Sequence, residues 1–226
     1  EPPVQIITEL AQQGITFDAA SEVPMLDPAT GDVDLVHLPD EVRFEVTEFN
    51  RRVVTRAFNR AVADELTNYI DPSFSGKTLV FAVSNAHADI VVEELKRAFA
   101  EAYGPIPDAA VVKITGVVDQ VGALIRAFRN DALPQVAVTV DLLTTGIDVP
   151  KIQNLVFLRR VNSRILYEQM LGRATRLCPE IDKQVFRIFD AVDLYRNLEH
   201  VTAMRPVVAN PSIELGQLFE ELASVS

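Results

Sequence analysis

Residues 136–176 read VAVTVDLLTTGIDVPKIQNLVFLRRVNSRILYEQMLGRATR, and this stretch decides the fold. An apolar run (136–140) leads into a loop, a second apolar run (154–158) follows, and a helical pattern covers 163–174. Apolar runs of that length suit strands buried on both faces of a parallel sheet. Gly146 and Asp148 fall just past the first run, and Arg173 and Arg176 close the helix. A spacing of three puts both guanidiniums on one helical face. Two permanently charged forks side by side at a helix end suit a polyphosphate better than a core.

Outward from this stretch the same alternation continues. Strands are predicted at 78–83, 111–114 and 185–190, and helices at 86–102 and 119–130. Strands alternating with helices call for an α/β fold, a parallel sheet covered on both faces, with ligands taken by loops past the carboxyl ends of the strands. Ahead of it the sequence predicts a short helix over 4–13 stopped by Gly14, turns at Asp27-Pro28 and Thr30-Gly31-Asp32, and a weak strand at 33–38. From Thr47, read as a cap, a helix carries the stripe Val54, Phe58, Val62, Leu66 and Ile70, with Arg52, Arg56 and Arg60 on a solvent face. Asp71-Pro72-Ser73 to Gly76 breaks the chain. The expected organisation is a connecting segment and long helix (1–70), a principal domain (71–206) that includes a helical patch at 191–199, and the start of a further helical element (207–226).

Composition narrows the class. A chain of 226 residues with 48% hydrophobic content buries a core without staples. One cysteine, Cys178, allows no internal disulfide and favours a reducing, cytoplasmic setting. His37, His87 and His200 are scattered without metal-ligand spacing. No apolar run approaches the roughly 20 residues of a membrane-spanning helix. The absence of an initial Met and of a signal-like start reads most simply as an excised piece. Net charge is −11, but it is unevenly placed. Residues 1–48 hold eleven acids against Arg43, whereas residues 151–176 hold six bases against Glu168. A local basic patch on an acidic chain is compatible with anion binding.

The segments DLLTTGIDVP and QMLGRATR resemble motifs V and VI of superfamily 2 helicases and translocases, in the right order and separated by a strand. The resemblance implies the second RecA-like motor domain, a three-layer fold of the P-loop NTPase type with an N-terminal extension. It implies that Arg173 and Arg176 are arginine fingers reaching the γ-phosphate of ATP, which a first motor domain holds together with Mg2+. It places Gly146 and Asp148 at the nucleotide cleft, the carboxylate accepting from a ribose hydroxyl, and starts motif VI at Gln169. Met170 stands where a second arginine is often found. Ser84-Asn85 and Thr115-Gly116, each after a strand, and Thr144-Thr145 fit the family's DNA-backbone contacts, which hold phosphates without reading bases.

Other patterns carry less. Gly76-Lys77-Thr78 lacks the glycine a phosphate loop needs five residues earlier, where Asp71 stands, and it precedes a strand. Asp141 has the look of a magnesium carboxylate without a phosphate loop to serve it. Glu94-Leu95-Lys96 and Glu180 to Lys183 come near nuclease spacing, but the first lies in an amphipathic helix where charge pairs are ordinary and the second lacks the strand scaffold that would fix a metal. The wording from FNRRVVTRAFNRAVADEL to NSRILYEQMLGRATRLCP resembles the motor subunit of type I restriction enzymes over roughly residues 40–206. That implies a longer protein that pumps double-stranded DNA with ATP, cuts it with a nuclease domain nearer its N-terminus, and works with modification and specificity subunits. On this reading the isolated piece neither hydrolyses ATP nor cuts DNA. Two alternatives stay open: a degenerate motor fold serving as a DNA-docking or subunit-binding module, and a domain of another superfamily 2 helicase.

Overall fold

The chain runs β1 (Val4–Gln5), α1 (Glu9–Gln13), β2 (Ile15–Phe17), β3 (Glu22–Leu26), β4 (Val33–His37), β5 (Val42–Phe44), α2 (Arg56–Leu66), β6 (Lys77–Phe81), α3 (Asn85–Tyr103), β7 (Val111–Lys113), α4 (Val121–Asn130), β8 (Val136–Thr139), β9 (Ile152–Phe157), α5 (Arg164–Leu171) and β10 (Arg187–Asp190). This computed structural model describes residues 4–27, 29–140, 148–161 and 164–194. The expected elements at 141–147, from 195 onward and at 207–226 lie outside the described residues.

Six strands form one sheet in the order β1-β10-β9-β6-β8-β7, every pairing parallel. Side chains alternate across a strand, so β6 serves two cores at once. Val80 and Ala82 join Val138, Val156 and Phe189 beneath Phe58, Val62 and Leu66 of α2 and Val91, Leu95 and Phe99 of α3. On the other face Phe81 stacks on Phe157 at 5.1 Å, and Tyr167 of α5 leans on Phe157 at 5.6 Å. Each such side chain contributes about 1.5–3 kcal/mol when fully buried. Helices on both faces of a parallel sheet give the expected three-layer α/β architecture.

The leading segment departs from expectation. Residues 4–5 are strand, not helix: Gln5 and Val4 pair with Asp190 and Phe189, and the Ile6 N–H donates to Asp190 O (2.9 Å). An open strand edge supplies partners for every second backbone group, which outweighs a weak helical pattern. The helix starts instead after Thr8, whose hydroxyl accepts from the Ala11 N–H (3.1 Å), and stops at Gly14 as expected. Gly14 has φ +71°, and an added Cβ would lie 2.6 Å from Phe44 O. We expect Gly14→Ala to lower stability by about 1–2 kcal/mol, read by chemical denaturation; no loss would show that the turn relaxes freely. The antiparallel pairs β2–β5 and β3–β4 make two further small sheets, and of their four strands only β4 was legible from alternation.

Thr47 is not the cap of α2. Thr55 is, accepting from the Phe58 N–H (3.2 Å), while 46–54 forms a turn with Phe49, Val53 and Val54 buried. The apolar stripe from Val54 to Ile70 is buried throughout. Arg52, Arg56 and Arg60 are exposed, and Arg56 reaches Glu93 (2.8 Å) and Glu94 (2.9 Å) on α3. Burial pushes the Glu94 carboxyl up, but Arg97 and Arg56 overcome it and hold the pKa below the usual value. Glu94 therefore ties two helices together and is no nuclease ligand. Among the described residues no group of acids, histidines and cysteine could hold a metal. Among them, too, no helix is long and apolar enough to cross a membrane.

Lys77, in the false phosphate-loop match, is 2% exposed. Its Nζ donates to the carbonyls of Asp131 (2.7 Å), Ala132 (2.8 Å) and Pro134 (2.6 Å). Burial, with Lys151 nearby, lowers its pKa to about 8, so the amine stays mostly protonated at neutral pH.

Candidate functional site

At the carboxyl edge of the sheet, β6 and β7 end at the residues singled out from the sequence. Ser84 caps α3, its Oγ accepting from the His87 N–H (3.2 Å), and is buried; Asn85 beside it is exposed. Thr115 is also buried, so of the second pair the exposed Gly116 is the accessible member. An added Cβ at Gly116 would meet nothing within 4 Å, so packing does not demand glycine there. The turn of the β3–β4 hairpin borders this edge, a Cβ at Gly31 lying 3.7 Å from that of Ser84. Thr144, Thr145 and Gly146 lie outside the described residues.

The edge is braced from beneath by a buried polar chain that sequence reading missed. His87 Nδ1 accepts from the Val83 N–H (3.2 Å) and Nε2 meets Asn59 Oδ1 (2.9 Å), which calls for the proton on Nε2. Asn59 in turn donates to Thr55 O (2.9 Å) and pairs with Asn50 (3.3 Å). Complete burial lowers the His87 pKa to about 3. The unfolded chain therefore binds more protons than the folded one between about pH 6.5 and 3, and stability falls as pH falls through that window. His87 should cost the wild type about 2 kcal/mol at pH 5 relative to pH 7. Denaturation at both pH values should show a correspondingly smaller loss in His87→Gln; equal losses would assign the acid sensitivity elsewhere.

The arginines do not lie on a helical face. α5 ends at Leu171; the Gly172 N–H still donates to Glu168 O (2.8 Å), but the Ala174 N–H turns to Leu171 O (2.9 Å) and the chain leaves the helix. Glycine at this point weakens helix continuation, and the tighter i→i−3 bonding closes the last turn. Arg173 and Arg176 thus project from a turn, Arg173 half-buried and Arg176 exposed. Nor does this turn sit among the loops past the strand ends. α5 carries the chain back about 12 Å at 1.5 Å per residue, toward the edge where strands begin. There the Lys77 N–H donates to Lys151 O (2.8 Å), and Lys183 Nζ bridges Pro150 O (2.8 Å) and Arg176 O (2.7 Å).

Arg176 and Asp148 are brought together: Nη1 donates to Oδ2 at 2.5 Å, with the side chains 65% and 37% exposed. An ion pair that open contributes about 0–1 kcal/mol, so a phosphate could displace the carboxylate at little cost. Gln169 is exposed on α5, one residue from Met170, which is fully buried and makes no contact available to a ligand. Arg159 Nη1 donates to Val140 O (3.1 Å) and holds the end of β8. A cleft of about 360 Å³ lined by Arg129, Pro150, Lys151 and Glu180 includes none of the predicted site residues.

Residues 61–178 match the helicase conserved C-terminal domain family. The chain is 54% identical to the Type I restriction enzyme EcoKI endonuclease subunit of Escherichia coli (strain K12), over 98% of its own length and 19% of the relative's. It is 28% identical to the EcoAI endonuclease subunit of Escherichia coli over 87% of its length and 26% of that relative's. It thus spans about a fifth to a quarter of these relatives. A solved fragment assigned to the HsdR subunit of a type I restriction enzyme from Vibrio vulnificus YJ016 superposes with a TM-score of 0.53 at 30% identity, over 61% of this chain and 27% of that one. With the parallel sheet, the two motifs and a family match over half its length, the chain belongs to the helicase conserved C-terminal domain family.

Proposed function

We propose that this chain is the second motor domain (71–206, with 1–70 leading in and 207–226 leading out) of an ATP-dependent DNA translocase, within the endonuclease subunit of a type I restriction-modification system. Arg176 and Arg173 act as arginine fingers on the γ-phosphate of ATP. Asp148, Gly146 and Gln169 face the nucleotide; Asn85, Gly116, Thr144 and Thr145 face the DNA backbone, with the buried Ser84 and Thr115 beside them in the same loops. The observation that carries this reading is Arg176: exposed, on a short turn, its guanidinium in an open ion pair with Asp148 that a phosphate can replace. On this reading Mg2+ and the phosphate loop belong to a first motor domain of the same parent chain. Modification and specificity subunits are the expected partners, in the cytoplasm.

Two motor lobes are needed to enclose the phosphoryl group, so the isolated chain should show no ATP hydrolysis and no DNA cleavage above blank, with or without double-stranded DNA. Phosphate release and a nicking assay read this directly, and turnover by the isolated chain would overturn the shared-site reading. The Arg176–Asp148 pair also suits a second reading, a degenerate motor fold kept as a docking module in which the arginine is structural. Unchanged DNA-stimulated ATPase in an Arg176→Ala full-length subunit would favour that module.

A further inference from the structure

Lys183 is buried directly beneath the arginine turn, 3% exposed. Its backbone pairs with Cys178, the Lys183 N–H donating to Cys178 O (3.0 Å) and the Cys178 N–H to Lys183 O (3.2 Å), which folds Pro179–Asp182 into a tight loop. The side chain then turns back, and Nζ donates to Ala174 O (2.9 Å), Arg176 O (2.7 Å) and Pro150 O (2.8 Å). An ammonium has three donors, and here three carbonyls take them. Two of the acceptors lie within the segment bearing the arginines, one next to Arg173 and the other the carbonyl of Arg176 itself, and the third lies two residues from Asp148. Lys77 makes the same kind of clasp, but on residues 131–134, which carry no site residue.

We propose that Lys183 is a positioning residue for the arginine fingers, its ammonium locking the arginine turn to the Asp148 loop in the geometry that reaches the transferred phosphoryl group. This rests on the motor reading above. Charge-assisted bonds to backbone carbonyls hold main chain rather than side chain, so the Arg176 guanidinium keeps freedom to exchange Asp148 for phosphate while its anchor point stays fixed. A misplacement of about 1 Å in such a site costs on the order of 10²-fold in rate. Burial also pushes the lysine pKa below its ordinary value, a desolvation penalty on the ammonium that hydrogen bonds to three carbonyls work against.

The test uses the full-length endonuclease subunit with its modification and specificity partners, ATP, and double-stranded DNA carrying the recognition site. Lys183→Met should lower the DNA-stimulated kcat about 10- to 100-fold with KM for ATP within about threefold. In an Arg176→Ala background, followed under single-turnover conditions, it should cause no further loss, because it acts through that arginine. A kcat within twofold of wild type in folded subunit, or the same factor of loss in both backgrounds, overturns the proposal. If Lys183→Met does not yield folded protein, Lys183→Gln, which keeps two donors, takes its place in the same cycle. Should Arg176→Ala itself leave ATPase unchanged, the motor reading fails; if Arg176→Ala is inactive and the Lys183 variant is not, only the positioning role fails.

Discussion

Replacing Arg176 by alanine in the full-length subunit lowers DNA-stimulated ATP hydrolysis by about 10³-fold or more, while the melting temperature moves by no more than about 2–3 °C. The first expectation follows from the size of the effect that a guanidinium supplies when charge develops on a transferred phosphoryl group, about 10³ to 10⁵ in rate. The second follows from exposure: the side chain is 65% exposed and its ion pair to Asp148 is open to water, worth about 1 kcal/mol at most. A structural arginine would give the reverse pattern, a loss of stability with little change in turnover. Arg173→Ala should also lower turnover strongly, but its half-buried side chain adds a stability loss that Arg176→Ala lacks. Phosphate release against DNA concentration, paired with a thermal melt, separates these outcomes. ATPase within twofold of wild type for both variants would remove the finger assignment.

Lys77→Met has the largest effect on stability, a loss of about 3–5 kcal/mol. The ammonium is 2% exposed and satisfies the carbonyls of Asp131, Ala132 and Pro134, with the Phe128 ring 5.7 Å away. Methionine fills the volume but leaves three carbonyls without their donor, that of Pro134 buried and those of Asp131 and Ala132 part-buried, each costing up to about 1–3 kcal/mol less whatever relaxation and water recover. Against a typical stability of about 5–15 kcal/mol such a loss is severe. Denaturant unfolding of the chain checks it. A loss below about 1 kcal/mol would mean that water reaches these carbonyls and that the lysine is not the clasp between the start of β6 and the turn before β8.

How much of this was legible beforehand depends on whether a signal is local. The central strands were, because TLVFAV, VAVTV and NLVFL are apolar runs that only a strand covered on both faces accommodates. The Val54–Ile70 stripe was too, since a four-residue recurrence demands a buried face whatever covers it. Its starting point was not, because Thr47 and Thr55 both look like caps and tertiary contacts of Phe49 and Val53 chose between them. β1 was misread as helix for the same reason: two residues have no strand signal of their own and are strand only because β10 offers an edge. Arg173 and Arg176 were placed on the wrong element. The helix ends at Leu171, and their spacing on the turn has no helical meaning.

The amino-acid sequence alone determined that this chain builds a parallel α/β sheet and carries two ordered motifs with paired arginines, because hydrophobic periodicity and side-chain identity are properties of neighbouring residues. Only the tertiary structure decided that those arginines stand at the amino edge of the sheet, that Asp148 meets Arg176, and that Lys77, Lys183 and His87 are buried braces. Their partners are almost all backbone carbonyls, amides or distant side chains, which no residue type announces and which the folded backbone alone brings within hydrogen-bond reach.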